Sequence, residues 1–378
     1  MIKKKLLIVT AGAFVLYAAS AGVSFVLFNT ILKSPVNISA PFIGSLTDVT
    51  SGQEEGVKDQ PCPLNGAMYT KNRKGQWEKR RPLGVMIENH QDARPINGWT
   101  RADVVYEAVA EGGITRTLTM YYCQDAGDIA PIRSALTYFL DWLSEYSALY
   151  AHVGGANTPG PADALGQIKD YGILDMDQFG LGFPTYWRGT DKLAPHNVHS
   201  TTKKLWEAAT ARGEGWGAKD KNGDNWDENF VLWQFKNETP LDQRGIQKPI
   251  NVPFWTQAAD YTVTWKYDKA TNTYKRYIGS TAQVDPTTKE VVSPKNVIVQ
   301  FQVESDANDG YPDGHLLYDT IGTGKALFFI DGKAVLGTWN KASREARTKY
   351  LDVNGQEIQF NRGQIWIETI PAGNTVTY

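Results

Sequence analysis

The 378-residue sequence has only two cysteines, Cys62 and Cys123, only five histidines, and a formal net charge of only −2. Two thiols cannot build a tetrahedral zinc site on their own. A chain without a basic excess or a basic stripe lacks the electrostatic footprint of a nucleic-acid binder. There is no G-x-S-x-G elbow, no P-loop and no full dinucleotide fingerprint, so acyl transfer, nucleotide hydrolysis and dinucleotide chemistry have no motif to rest on. What the chain does have is aromatic mass: twelve Trp, eighteen Tyr and fourteen Phe supply ample apolar area for real cores.

The longest uncharged stretch, residues 6–32, follows Lys3, Lys4 and Lys5. As a helix it would reach about 40 Å, more than the roughly 30 Å of membrane hydrocarbon. The charge order puts the N-terminus in the cytoplasm and the rest of the chain outside. A cleaved signal peptide is the competing reading, and Ala19-Ser20-Ala21 would suit a peptidase, but the apolar run continues to Leu32, well past the usual signal length. The expectation is a retained, single-pass anchor over residues 1–33 in the cytoplasmic membrane, with the bulk of the chain extracytoplasmic. Residues 34–60 lack a period and are rich in Pro, Gly, Ser and acids, as in a flexible tether. In that compartment Cys62 and Cys123 can form a disulfide. The sequence leaves open whether the two sulfurs meet.

Beyond residue 60 the patterns are mixed. Residues 82–90, 103–111, 116–124 and 148–155 are short runs with β-branched and aromatic residues, bounded by Pro, Asn or Gly, as strands are. Ile132, Ala135, Leu136, Phe139, Leu140, Leu143 and Tyr146 recur at spacings of three and four, which predicts an amphipathic helix. A second helix is expected over about 200–212, with Ser200 or Thr201 as N-cap and Gly213 at its stop. After about Asn251 alternation takes over in 261–268, 273–280, 296–304, 325–332, 334–339 and 363–371, and Asp331-Gly332 is a hairpin signal. The expected fold class is α+β. A mixed α/β N-terminal domain over 61–245 is followed by a smaller antiparallel β-rich C-terminal domain over 246–378, after one N-terminal transmembrane helix.

Polar residues gather where the predicted strands end, which is where open α/β sheets hold their ligands. Glu111 and His152 are the catalytic candidates. A carboxylate near two guanidinium groups stays ionised and suits anion-assisted binding or base work, whereas a histidine, with an ordinary pKa of roughly 6.5, suits proton donation. His90, Arg94, Glu107, Arg116, Arg133, Arg188 and His196 are candidate substrate-binding residues, the arginines because their forks fit carboxylate or phosphate. Arg133 and Ser134 are expected near a helix start, which also favours an anion. Glu107 and Glu111, four apart in a strand, would face the same side. The plainer alternatives are exposed carboxylates, and arginines bridging to Asp103, Glu107 or Glu111. His196-x-x-His199 follows Pro195 and reads as a loop, and no H-E-x-x-H accompanies it, so no metal and no cofactor are expected. Glu111, Arg116, Arg133 and His152 are expected to line one concave, solvent-reachable pocket.

The segment PLGVMIENHQDARPINGWTRADVVYEAVAEGGITR resembles the signature of the YerB-like family, bacterial envelope proteins with a domain of unknown function. Further matching segments are APIRSALTYFLDWLSEYSALYAHVGG, YWRG with PHNVHSTT, GTWNK and RGQIWIE, in order from about residue 80 to 371. The resemblance implies a larger N-terminal and a smaller C-terminal part, and an envelope location; it assigns no catalytic residue. Many members look like lipoproteins, whereas here no cysteine lies in or just after the apolar stretch, and a spanning helix takes the place of the lipid. The expected function is an envelope protein that binds, and if it is an enzyme cleaves or modifies, a polar wall polymer or its precursor. The alternative is a non-catalytic scaffold that recruits an envelope protein through its β-rich domain. The partners expected are the membrane and either a wall glycan or an envelope protein, and no nucleic acid; the sequence leaves turnover and oligomeric state open.

Overall fold

The order of the strands in the central sheet sets where the polar residues collect. The computed structural model describes residues 56–378 apart from 312 and 313, so the expected anchor over 1–33 and nearly all of the tether lie outside the described residues. The tether expectation runs slightly too far, because Lys58–Pro61 already pairs with Met68–Thr70 as a strand. Among the described residues no helix is long and apolar enough to cross a membrane.

Ten strands form the main sheet: β1 (Leu83–Glu88), β2 (Val104–Glu111), β3 (Ile114–Tyr121), β4 (Leu149–Ala151), β5 (Leu174–Asp175), β6 (Asn296–Gln302), β7 (Gly322–Ile330), β8 (Lys333–Lys341), β9 (Lys349–Asp352) and β10 (Ile365–Pro371). Their spatial order is β9-β8-β7-β6-β10-β2-β3-β1-β4-β5. The central members are buried almost end to end, β1 at every position, because both faces of the sheet are covered. The hairpin from β7 to β8 turns at Asp331 (φ 53°) and Gly332 (φ 68°), the paired left-handed conformation that the Asp-Gly step predicts.

The C-terminal part is β-rich, with a four-stranded antiparallel sheet of Ile250–Val252, Val263–Asp268, Thr273–Ile278 and Thr281–Ala282 beside the main one. It is not purely antiparallel, as β10 runs parallel both to β6 and to β2. Through β10 the segments expected as two domains share one sheet.

Among the described residues five α-helices flank these sheets: α1 (Lys71–Trp77), α2 (Thr137–Ser144), α3 (Ala164–Asp170), α4 (Gln178–Leu181) and α5 (Thr202–Ala211). Helix α5 has Thr201 as its N-cap, accepting from the Lys204 N–H, and gives way to Gly213 at φ 88°. Helix α2 is shorter than its apolar period. Residues 132–136 are extended instead, because the Arg133 N–H bonds Met86 O and the Ala135 N–H bonds Gly154 O. Arg133 and Ser134 therefore precede the helix by several residues, and the expected helix-start anion site at that pair is not formed. The Cys62–Cys123 disulfide closes the first described hairpin onto the residues just after β3.

Candidate functional site

Strands β1, β2, β4 and β5 point the same way, so their carboxyl ends and the amino end of β3 lie along one edge of the sheet. Glu88 ends β1 and faces its register partner Arg116 on β3. The Arg133 Nε donates to Glu88 Oε1 at 3.2 Å, and His196 Nδ1 hydrogen-bonds Glu88 Oε2 at 2.9 Å. The His90 ring stacks on the His196 ring, with centroids 4.7 Å apart and planes at 12°. His90 Nδ1 in turn accepts from the Asp92 N–H at 3.2 Å. Next to this group, Arg116 donates to Glu111 Oε1 at 2.8 Å and to the carbonyl and hydroxyl of Ser134.

Five of the nine candidate residues thus collect in two adjoining clusters: Glu111 with Arg116, and His90 with His196, the latter joined by Arg133 through Glu88. The others are placed elsewhere. His152 is fully buried, its Nε2 on Asp175 and its Nδ1 on the Gly154 carbonyl. It therefore does not line a solvent-reachable pocket with Glu111, Arg116 and Arg133, as the sequence had led us to expect; burial raises the Asp175 pKa, but the bond and charge of His152 win and hold it below the ordinary value. Arg94 braces the loop after β1, donating to Asn89 and to the Asp260 carbonyl and lying over the Tyr261 ring. His199 parts from His196: it bonds Asp128 and Asp191, which outweigh its burial and raise its pKa.

Glu107 is the largest departure. A β-bulge between Val109 and Glu111 breaks the alternation, so Glu111 meets Arg116 on one face while Glu107 meets Thr115 on the other. Glu107 is also fully buried rather than exposed. The Arg276 Nη2 donates to both of its oxygens at 2.8 Å, Trp366 donates to it, and the Arg276 guanidinium sits among the rings of Trp99, Trp366 and Trp265. The two other Arg276 nitrogens have no hydrogen-bond partner and face those rings, where the aromatic quadrupoles meet the charge. Glu368 is the register partner of Glu107. Burial first and the Glu107 charge second push its pKa well up, which favours the protonated form beside Glu107. This buried cluster joins β2, β10 and the four-stranded sheet, and it is sealed from any ligand.

Beside the edge, the segment that delivers His196 forms an open pocket of about 260 Å³ lined by Gln178, Phe183, Tyr186, Trp187, Arg188 and Val198. Arg188 is exposed and donates to Asn197 Oδ1, and Phe183 (85 % exposed) and Phe179 (76 %) stand open to solvent nearby. Sequence reading missed Glu88, Asp92 and the Phe183–Trp187 lining. The signal for Glu88 was present, an acid directly before Asn-His at a strand end; Asp92 sits in a single 3-10 turn, Gln91–Ala93, and Phe183 in a turn, both too short to show a period.

Residues 69–215 match the family described as "Protein of unknown function (DUF3048) N-terminal domain", and residues 250–367 match "Protein of unknown function (DUF3048) C-terminal domain". The Bacillus subtilis (strain 168) protein named "Putative lipoprotein YerB" is 26% identical over 324 residues, which is 85% of this chain and 91% of that protein. The crystal structure of YerB protein from Bacillus subtilis is 24% identical, with a TM-score of 0.69, over 84% of this chain and 100% of that chain, a likeness of fold. The YerB-like resemblance read from the segments between 82 and 371 holds across this span.

Proposed function

The chain belongs to the DUF3048 family, and from that premise we propose that it works in the cell envelope, anchored through residues 1–33, where the edge beside Arg188 binds an anionic wall polymer or its precursor. The relative named as a lipoprotein supports the envelope location. The observation that carries the binding reading is the open pocket in which Trp187 and Phe183 stand beside Arg188. Aromatic faces suit the apolar faces of sugar rings, and a guanidinium supplies a fork for carboxylate or phosphate. Arg133 and Arg116 lie toward the same edge but are held by Glu88 and Glu111, so they tune charge rather than offer free forks.

The test is retention of the full chain, in mild detergent, on purified wall glycan and muropeptides, with mass analysis of products. Arg188→Ala and Trp187→Ala are each expected to weaken retention about tenfold, the scale of losing one charge-assisted contact or one buried ring. No retention and no products across pH and metal conditions would sink the reading. A scaffold role has one observation in its favour: Leu336 and Val353 are exposed near the β8–β9 end of the sheet. Crosslinked partner capture that survives Arg188→Ala and is lost in Leu336→Asp would favour that role instead.

A further inference from the structure

The stacked histidines after β1 come from residues 106 apart in the chain, yet their ring nitrogens and the Asp92 carboxylate lie within 4.8 Å of one another. Asp92 Oδ2 is 3.7 Å from His90 Nδ1. In a tetrahedral zinc site, with bonds of about 2.0–2.2 Å, neighbouring ligand atoms stand about 3.3 Å apart, so a small inward movement of two partly exposed side chains and an exposed one closes the set. We propose that His90, His196 and Asp92 bind one divalent transition metal ion of the zinc class, with a coordination position left open to solvent.

The surroundings are those of a metal-ligating histidine. Glu88 Oε2 holds His196 Nδ1, which places the proton there and leaves the Nε2 lone pair free for an ion. The Arg133 Nε, on the other Glu88 oxygen, fixes that carboxylate in turn. His90 would ligate through Nδ1 in exchange for its long contact to the Asp92 N–H. Two imidazolium rings stacked at 4.7 Å would repel, whereas two neutral rings sharing a cation between their nitrogens with a carboxylate do not. Two imidazoles and one carboxylate are the donor types that zinc accepts with a fourth position open. An anionic ligand reaching this edge would find the ion there. The site stands on its own residues, however, and does not depend on the polymer reading.

Full-length protein in mild detergent, stripped with a chelator, is titrated with zinc chloride against a chromogenic competitor. One equivalent is expected. His90→Ala and His196→Ala should each weaken binding at least about tenfold, Glu88→Gln by about 10–100-fold through the lost orientation of His196, and His199→Gln not at all. Cobalt substitution should give visible absorption of tetrahedral strength that His196→Ala abolishes while the melting curve keeps its shape. Absence of zinc uptake by the parent protein below millimolar concentration, or equal uptake by the His90→Ala/His196→Ala double variant, would overturn the site. Zinc uptake without polymer retention, or the reverse, separates this inference from the proposed function.

Discussion

At the scale of single residues, the buried acids divide by what faces them. Glu107 has a guanidinium, whereas Glu368 has the Trp265 N–H and its neighbour's oxygen, so one is paired with a charge and the other is pushed toward its protonated form. Asp103 lies between. It accepts from the backbone N–H groups of Tyr122 and Cys123 and from Asn65, yet full burial outweighs those bonds and raises its pKa from 3.8 to about 6. The folded state then holds this proton more tightly than the unfolded chain. The associated stability is complete below about pH 4 and is lost as pH rises through 6, up to roughly 3 kcal/mol in all. Asp103→Asn removes that proton uptake. Between pH 4 and 6 its melting temperature should fall less steeply than that of the parent, and parallel curves in thermal melts would contradict the account.

At the scale of elements, most strands were legible because apolar alternation and boundary residues agreed, and α5 because its cap and its glycine stop were both present in sequence. The period from Ile132 to Tyr146 misled at its start, since extended residues 132–136 pair with β1 and with the chain after β4, contacts that no local pattern announces. The same limit applies to the candidate site. Its residues were recognisable one by one at strand ends, but the bulge in β2 that turns Glu111 away from Glu107, and the meeting of His90 with His196, depend on register and on long-range return of the chain. The disulfide is the element-scale staple: it fastens the first hairpin and α1 to the end of β3 across 61 residues. Loop-closure entropy makes this link worth roughly 4 kcal/mol. Cys62→Ser/Cys123→Ser should lose about that much in denaturant titrations without reductant, and titrations of the parent with and without reductant should reproduce the difference; a loss below 1 kcal/mol would show that the hairpin holds without it.

At the scale of the whole molecule, the carboxyl-side half is not an appendage. Strand β10 is hydrogen-bonded to β2 on one side and to β6 on the other, and Glu145 at the end of α2 is buried against Lys341, Arg347 and Thr348. Removing residues 246–378 would strip β2 of a neighbour and take from Glu107 both Arg276 and the Trp265 and Trp366 rings that bury the pair, opening the middle of the sheet to water. The fragment ending at residue 245 is therefore expected to show no cooperative thermal transition by circular dichroism and rapid proteolysis. A sharp transition in that fragment would show that the residues up to 245 fold on their own.

The position of β10 also orders events in time. It is the last of the described strands to leave the ribosome, yet it completes the middle of the sheet rather than a margin. A nascent chain that has emerged only as far as β9 carries two half-sheets, one ending at β2 and one at β6, with no strand to bridge them. Vectorial synthesis thus postpones the native state until the final stretch arrives, and a product terminated before β10 keeps an open seam in the middle of its sheet.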